Sequence, residues 1–316
     1  MSFTSDTKRE LMALEMTDCC RLAELSALLS VNGHLSISNE GVSITFQTTS
    51  LPLVRKVITS IKKLYKIEVD VISKAQVRLK KKNQYSVVIK QKAHTVVNEL
   101  ALMDQNKGFA QSIDETLILK PCDARAYLRG VFLASGSINH PRSSSYHAEL
   151  AVPNEGFAED LIDLMARFDL NAKLHKKKRG MMVYLKESEK IADFLRIVDA
   201  TKALLKFEDE RIKRDFVNSI TRVMNMELAN QNKTLEAAKK QLKDIAVLEN
   251  LVDMEKLSEN LHQAIFLRKK YPESSLQELS EHSDEHFRKP ISKSGLNHRF
   301  RNIHQMAQEV LDDYNE

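Results

Sequence analysis

Two stretches decide how this chain reads: Leu25-Ser26-Ala27-Leu28-Leu29-Ser30-Val31-Asn32-Gly33 and Leu128-Arg129-Gly130-Val131-Phe132-Leu133-Ala134-Ser135-Gly136. Each is apolar or small at nearly every position and closes on glycine, the pattern of a helix buried on most sides. The same order of elements follows both. After Gly33 an alternating run at 34–38, a turn at Asn39-Glu40-Gly41 and a second run, Val42-Ser43-Ile44-Thr45-Phe46, read as a β-hairpin. Leu53, Val57, Ile61 and Leu64 then recur at i, i+4, i+8 and i+11, an amphipathic helix. Strands are expected at 67–71 and 85–89, and a helix at 94–102. After Gly136 the expected series is strands at 137–139 and 146–152, a helix at 154–168, strands at 171–175 and 181–185, and a helix at 188–198. Asn154 suits an N-cap, with Glu155 in the first turn where the dipole favours an acid. The fold class is therefore α+β, a pseudo-symmetric duplication of αββαββα.

The C-terminal third changes character. Residues 207–250 hold no proline or glycine and are rich in Glu, Lys, Ala and Leu, which predicts a helical connector. A helix at 257–270 is broken at Pro272. Ser275-Leu276-Gln277-Glu278 matches a capping box opening a second helix, and Pro290 precedes a third. Three short helices with a break before the last predict an all-α helix-turn-helix. The expected divisions are 1–105 and 106–205 for the two halves of the duplication, 206–250 for the connector and 251–316 for the helix-turn-helix.

Composition narrows the class. At 316 residues the chain exceeds a typical domain, and 42% hydrophobic residues with no Trp suit cores of Leu, Ile and Val. No stretch is apolar enough to span a bilayer, and MSFTSDTKRELMALE lacks a signal-peptide layout, so a cytoplasmic protein without membrane attachment is expected. Cys19, Cys20 and Cys122 lack C-x-x-C spacing and read as small buried or half-buried residues, with no metal or cofactor expected. The formal charge is +5, unevenly spread. Residues 222–316 carry 14 Lys and Arg against 16 Asp and Glu, leaving 34 against 27 in residues 1–221. That excess suits a polyanionic partner.

The duplicated pattern of an apolar, glycine-ended helix leading each αββαββα unit resembles the LAGLIDADG homing endonucleases. The resemblance implies two motif helices packed at a pseudo-twofold axis through small residues, here Ser26, Ala27, Ser30, Gly130 and Ala134, and sheets forming a saddle over DNA. Those enzymes need an acid at the end of each motif helix to hold a divalent metal near the scissile phosphate. The matching positions here are Asn32 and Ser135, both neutral, and Glu24 lies about two turns too early. A degenerate, non-catalytic relative is expected. Phosphate contacts fit two clusters at equivalent places in the repeat: Arg78, Lys80, Lys81 and Lys82, and Lys173, Lys176, Lys177, Lys178 and Arg179. Lysines that keep hairpin edges soluble give the same pattern.

Sequence reading is expected in the last helix. Leu296, Phe300 and Ile303 form its inward stripe, leaving Lys293, Ser294, Asn297, His298, Arg299 and Arg301, with Ser275 and Gln277 of the preceding helix, for bases and phosphates. From 287 to 308 there are five Lys and Arg and no acid. The intervening turn, placed at 283–289, is longer than the usual 3–4 residues.

Several strings are similar to the WhiA family of bacterial regulators: Ser2-Phe3-Thr4, Phe207-Glu208-Asp209-Glu210-Arg211, Asn230-Gln231-Asn232-Lys233-Thr234 with Ala237-Ala238 and Gln241, Pro272-Glu273-Ser274-Ser275-Leu276 with Glu278-Leu279, and Ile291-Ser292-Lys293-Ser294-Gly295 with Asn297-His298-Arg299. The resemblance implies a non-enzymatic protein that binds double-stranded DNA at the nucleoid and regulates transcription in cell division, chromosome segregation or sporulation. Two other readings stay open at this point: a scaffold whose endonuclease-like domain holds a protein partner, and a divergent metal-dependent endonuclease.

Overall fold

The computed structural model describes residues 2–38, 41–74, 83–103, 108–178 and 180–315. Two compact units divide the chain, Met1–Asp215 and Phe216–Glu316. Among the described residues no helix is long and apolar enough to cross a membrane.

The first unit opens with α1 (Phe3–Met12), an addition to the elements expected from sequence; its buried side, Phe3, Thr7 and Leu11, holds only two apolar residues. The first repeat then runs α2 (Asp18–Asn32), β1 (Gly33–Ser38), β2 (Gly41–Thr48), α3 (Leu51–Tyr65), β3 (Asp70–Lys74), β4 (Gln84–Ile89) and α4 (Ala93–Glu99). The second runs α5 (Pro121–Ser135), β5 (Ser137–Ile138), β6 (Ala148–Val152), α6 (Glu155–Ala166), β7 (Lys173–Lys176), β8 (Met181–Leu185) and α7 (Ser188–Ile197). Both sheets are antiparallel and have the same strand order, β1-β2-β4-β3 and β5-β6-β8-β7. The duplication is therefore complete down to strand order. Asn154 caps α6 by accepting from the Phe157 amide at 2.8 Å.

One expected strand is displaced. The stretch 67–71 alternates apolar residues, but β3 begins at Asp70 and its five residues are all exposed. Ile67 is buried ahead of the strand, so the alternation marks a link pressed on the core followed by an outer strand. Asn39 and Glu40 of the expected hairpin turn lie outside the described residues.

Both halves share one core, and α2 and α5 run through its middle. Leu25, Ala27, Leu28 and Leu29 on α2 and Ala124, Tyr127, Leu128, Val131 and Phe132 on α5 are all buried. Each helix turns straight into a strand at a glycine, where a Cβ on Gly33 or Gly136 would collide with Leu29 or Phe132. Gly130 marks the closest approach: a Cβ there would sit 2.5 Å from the Glu24 carbonyl oxygen and 2.7 Å from the Ala27 Cβ. Next to this contact lies an ionic chain, buried at Lys56, Glu24 and Arg129 and half-exposed at Asp199. Glu24 pairs with Lys56 of α3 at 3.1 Å and with Arg129 at 2.7 Å, and Arg129 continues to Asp199 at 3.0 Å. Burial pulls the Lys56 ammonium below its ordinary value, opposed by the neighbouring Glu24 carboxylate. Such a chain holds only while every member is paired.

Helix α8 (Thr201–Leu251) begins in the first unit and ends in the second. Glu10 of α1 accepts from the Lys202 and Ala203 amides at 2.7 and 3.0 Å, capping its start. In the second unit Ile245 and Leu248 of α8 share a core with α9 (Glu259–Lys270), α10 (Leu276–His286) and α11 (Lys293–Asn315). Arg268 is buried there, donating to Gln241 at 2.9 Å and to the Ser274 carbonyl at 2.5 Å. That burial lowers its guanidinium to about 10.

Gly130→Ala adds a methyl where no space exists. Despite the better helix propensity of Ala, the variant should lose about 1–3 kcal/mol of stability, read as a lower urea midpoint with an unchanged slope.

Candidate nucleic-acid interface

The α10–α11 pair is set by local hydrogen bonds. Ser275 Oγ accepts from the Glu278 amide at 3.2 Å, while Glu278 Oε2 accepts from the Ser275 amide at 2.6 Å, completing the capping box. The bond from the Ser275 amide, with a smaller contribution from the Ser275 hydroxyl, holds the Glu278 carboxyl below its usual range. Helix α10 continues to His286, so the link is 287–292 rather than the expected 283–289. The reason is chemical. Ser283 Oγ accepts from the Ile291 amide at 2.8 Å and Ser280 Oγ donates to the Ile291 carbonyl at 2.7 Å. Two helical serines thus bind both polar groups of one buried link residue, which makes a long turn definite in shape. Ser292 Oγ then accepts from the Gly295 amide at 3.2 Å at the start of α11.

On α11 the stripe Leu296, Phe300, Ile303 and Ala307 is buried. Lys293, Ser294, Asn297, His298 and Arg301 are exposed together along the other side. Arg299 departs from them. Its guanidinium donates to the Asn260 carbonyl at 3.0 Å, Asn260 Oδ1 at 3.1 Å and Gln263 Oε1 at 2.9 Å, all on α9. Partial burial lowers its guanidinium from its ordinary value. It clamps α11 to α9, a placement that counting along one helix misses because the acceptors, on Asn260 and Gln263, belong to another helix. Ser275, Gln277 and Lys293 come together in one cleft with Lys233, Thr234 and Gln241 of α8. The Ser275 hydroxyl is occupied by its cap, and Gln277 donates to Glu281 at 3.1 Å.

In the first unit the two degenerate positions have structural contacts. Asn32 Nδ2 donates across the helix pair to the Ala134 carbonyl at 3.2 Å. Ser135 Oγ donates to the Val131 carbonyl of its own helix at 3.3 Å. Neither presents a carboxylate, and Glu24 is held in the ionic chain described above. On the second sheet Lys173 stands in register with Tyr184, and Tyr184 with Glu149. Lys177 pairs with Glu149 at 3.2 Å. Lys173, Lys176 and Lys178 are exposed and make no ion pair among the described residues. Arg78, Lys80, Lys81, Lys82 and Arg179 lie outside the described residues. On the first sheet the cross-strand row His34, Thr45, Val88 and Asp70 carries no Lys or Arg.

The cysteines differ from expectation. Read along the sequence they are unrelated, but Cys122 and Asp123 in the first turn of α5 meet Cys19 and Cys20 in the first turn of α2.

Arg299→Ala should lower the stability of the second unit by about 0.5–1.5 kcal/mol, the net loss of hydrogen bonds whose acceptors on α9 are exposed or half-buried. Asn297→Ala and Arg301→Ala should leave the thermal midpoint within a degree or so; an equal drop in all three would remove the distinction between clamp and exposed face.

Comparison with known proteins gives consistent matches along the chain. Family models match in three places: the WhiA N-terminal LAGLIDADG-like domain at 18–103, the WhiA LAGLIDADG-like domain at 124–217 and the WhiA C-terminal HTH domain at 220–307. The probable cell division protein WhiA of Bacillus cytotoxicus is 43% identical over 310 residues, covering 98% of this chain and 97% of that protein. Its counterpart in Bacillus mycoides is 42% identical with the same coverage. The crystal structure of full-length DUF199/WhiA from Thermatoga maritima superposes over 98% of this chain and 99% of that one, with a TM-score of 0.58 at 20% identity, which is a likeness of fold.

Proposed function

Since the chain belongs to the WhiA family, we propose that it is a non-enzymatic, DNA-binding regulator whose α10–α11 pair engages double-stranded DNA. The observation that carries this reading is the exposed set Lys293, Ser294, Asn297, His298 and Arg301 on a helix whose entry is fixed by half-buried Ser280 and buried Ser283. An α-helix fits the major groove, where Asn pairs with adenine and Arg with guanine, while Lys293 and Ser294 suit phosphates. Its curated relatives are named probable cell division proteins. We place this chain in the same process, acting at the nucleoid on genes of division, chromosome segregation or sporulation.

Cleavage is excluded from the proposal on chemical grounds. Phosphodiester hydrolysis by this architecture needs hard anionic ligands at the ends of α2 and α5, and an amide and a hydroxyl stand there instead. Supercoiled DNA incubated with the protein and Mg²⁺ or Mn²⁺ should stay supercoiled; nicking that Asn32→Ala abolishes would overturn this.

For the first unit the proposal is phosphate binding through Lys173, Lys176 and Lys178. Glu149, which neutralises Lys177 on the same sheet, favours a second reading in which this face meets a protein. Salt dependence separates the two. Lys173→Gln, Lys176→Gln and Lys178→Gln combined should reduce the slope of log K against log salt by about 0.9 for each phosphate that the variant no longer neutralises. An unchanged slope assigns the sheet to a protein partner. Genome-wide mapping of bound DNA should lose its discrete sites in the Asn297→Ala/Arg301→Ala double variant, and their survival would refute α11 as the reader.

A further inference from the structure

The two first turns that meet at the start of the central helix pair carry an unusual set of donors. Three sulfurs, from Cys19, Cys20 and Cys122, and a carboxylate oxygen of Asp123 all lie within 4.8 Å of one another. Aligning Gly33 with Gly136 puts Cys19 opposite Cys122 and Cys20 opposite Asp123. The four donors thus occupy the same two positions in each repeat. We propose that Cys19, Cys20, Cys122 and Asp123 form a Zn²⁺ site that joins the first turn of α2 to the first turn of α5.

Geometry supports tetrahedral coordination. At Zn–S distances of about 2.3 Å, the ligand atoms of a tetrahedral site stand about 3.8 Å apart. Small rotations about χ1 close the present spread, because Cys19 and Cys122 are exposed and Cys20 is half-buried. Exposure also gives the ion a path from solvent.

The electrostatics point the same way. Asp123 is buried, accepts from Cys122 Sγ at 3.5 Å and makes no ion pair among the described residues. A buried carboxylate without a cation is costly, and buried charges are ordinarily paired or coordinate metals. Three thiolates and a carboxylate around Zn²⁺ form a complex of net charge −2. The N-termini of α2 and α5, each with a partial positive charge, favour an anionic group at this place. Thr17 Oγ1 lies 3.3 Å from Cys19 Sγ and orients that donor from outside the coordination sphere. Soft thiolates with one carboxylate select Zn²⁺ over Mg²⁺ or Ca²⁺. The C-x-x-C spacing expected of zinc sites describes ligands supplied by one folded loop. Here two adjacent residues from each of two helices take that role.

The test uses the full-length protein, reduced, stripped with a chelator and titrated anaerobically with Co²⁺ and then Zn²⁺. One equivalent of Co²⁺ should give thiolate-to-metal charge-transfer absorption with intense visible bands of tetrahedral cobalt, both removed by Zn²⁺. Cys122→Ser and Asp123→Asn should each weaken Zn²⁺ binding at least about tenfold, as large as the loss from supporting residues alone. Circular dichroism checks that these first-turn variants remain folded. Zn²⁺ should also raise the thermal midpoint of the unaltered protein but not that of Cys20→Ser/Cys122→Ser. Cobalt bound without the charge-transfer band, unweakened affinity in both single variants, or thiols that pair as a disulfide and bind no metal when reduced would each overturn the site.

Discussion

The close approach of α2 and α5 at Gly130 is the constraint on which the first unit depends. A hydrogen atom in place of a side chain lets the Glu24 backbone come within van der Waals reach. Helices that near one another need small residues, and Ser26, Ala27, Ser30 and Ala134 meet the need on either side. The two sheets then have a single core to cover rather than two. The ionic chain from Lys56 through Glu24 and Arg129 to Asp199 crosses this seam, so α3 and the end of α7 are tied to the same contact. Removing Glu24 would leave the buried Lys56 ammonium without its ion-pair partner, typically a loss of several kcal/mol.

What happened at the ends of these helices follows from the same packing. A metal-binding carboxylate there is useful only to an enzyme. Asn32 instead reaches across to the Ala134 carbonyl, and Ser135 bonds back to Val131. At this end the helix pair is joined by the neutral Asn32 contact, with no carboxylate at either position. The second unit carries its own polar face on α11, fixed by Ser280 and Ser283 rather than by a short turn.

Much of this is legible in the amino-acid order because it depends on periodicity within one element. The glycine-ended helices, the repeated hairpins, the Asn154 cap and the Ser275–Glu278 capping box all follow from residues near in sequence. The exceptions involve partners from elsewhere. Helix α1 is hidden because its buried side contains Thr7 between Phe3 and Leu11. Strand β3 is displaced because Ile67 is buried by the core and not by a neighbouring strand. Arg299 looks free to read bases because its acceptors, Asn260 and Gln263, lie on another helix. The four donors at the helix starts are separated by an entire repeat.

That separation has a consequence in time. Helix α2 is buried on nearly every side in the folded unit, and its partner surface on α5 is encoded roughly 100 residues later. At ~5–20 residues per second of synthesis, α2 leaves the ribosome some 5–20 s before α5 can cover it. During that interval the nascent first half carries an unburied face, so its protection from aggregation falls to chaperones or to the ribosome surface until translation passes Ser135.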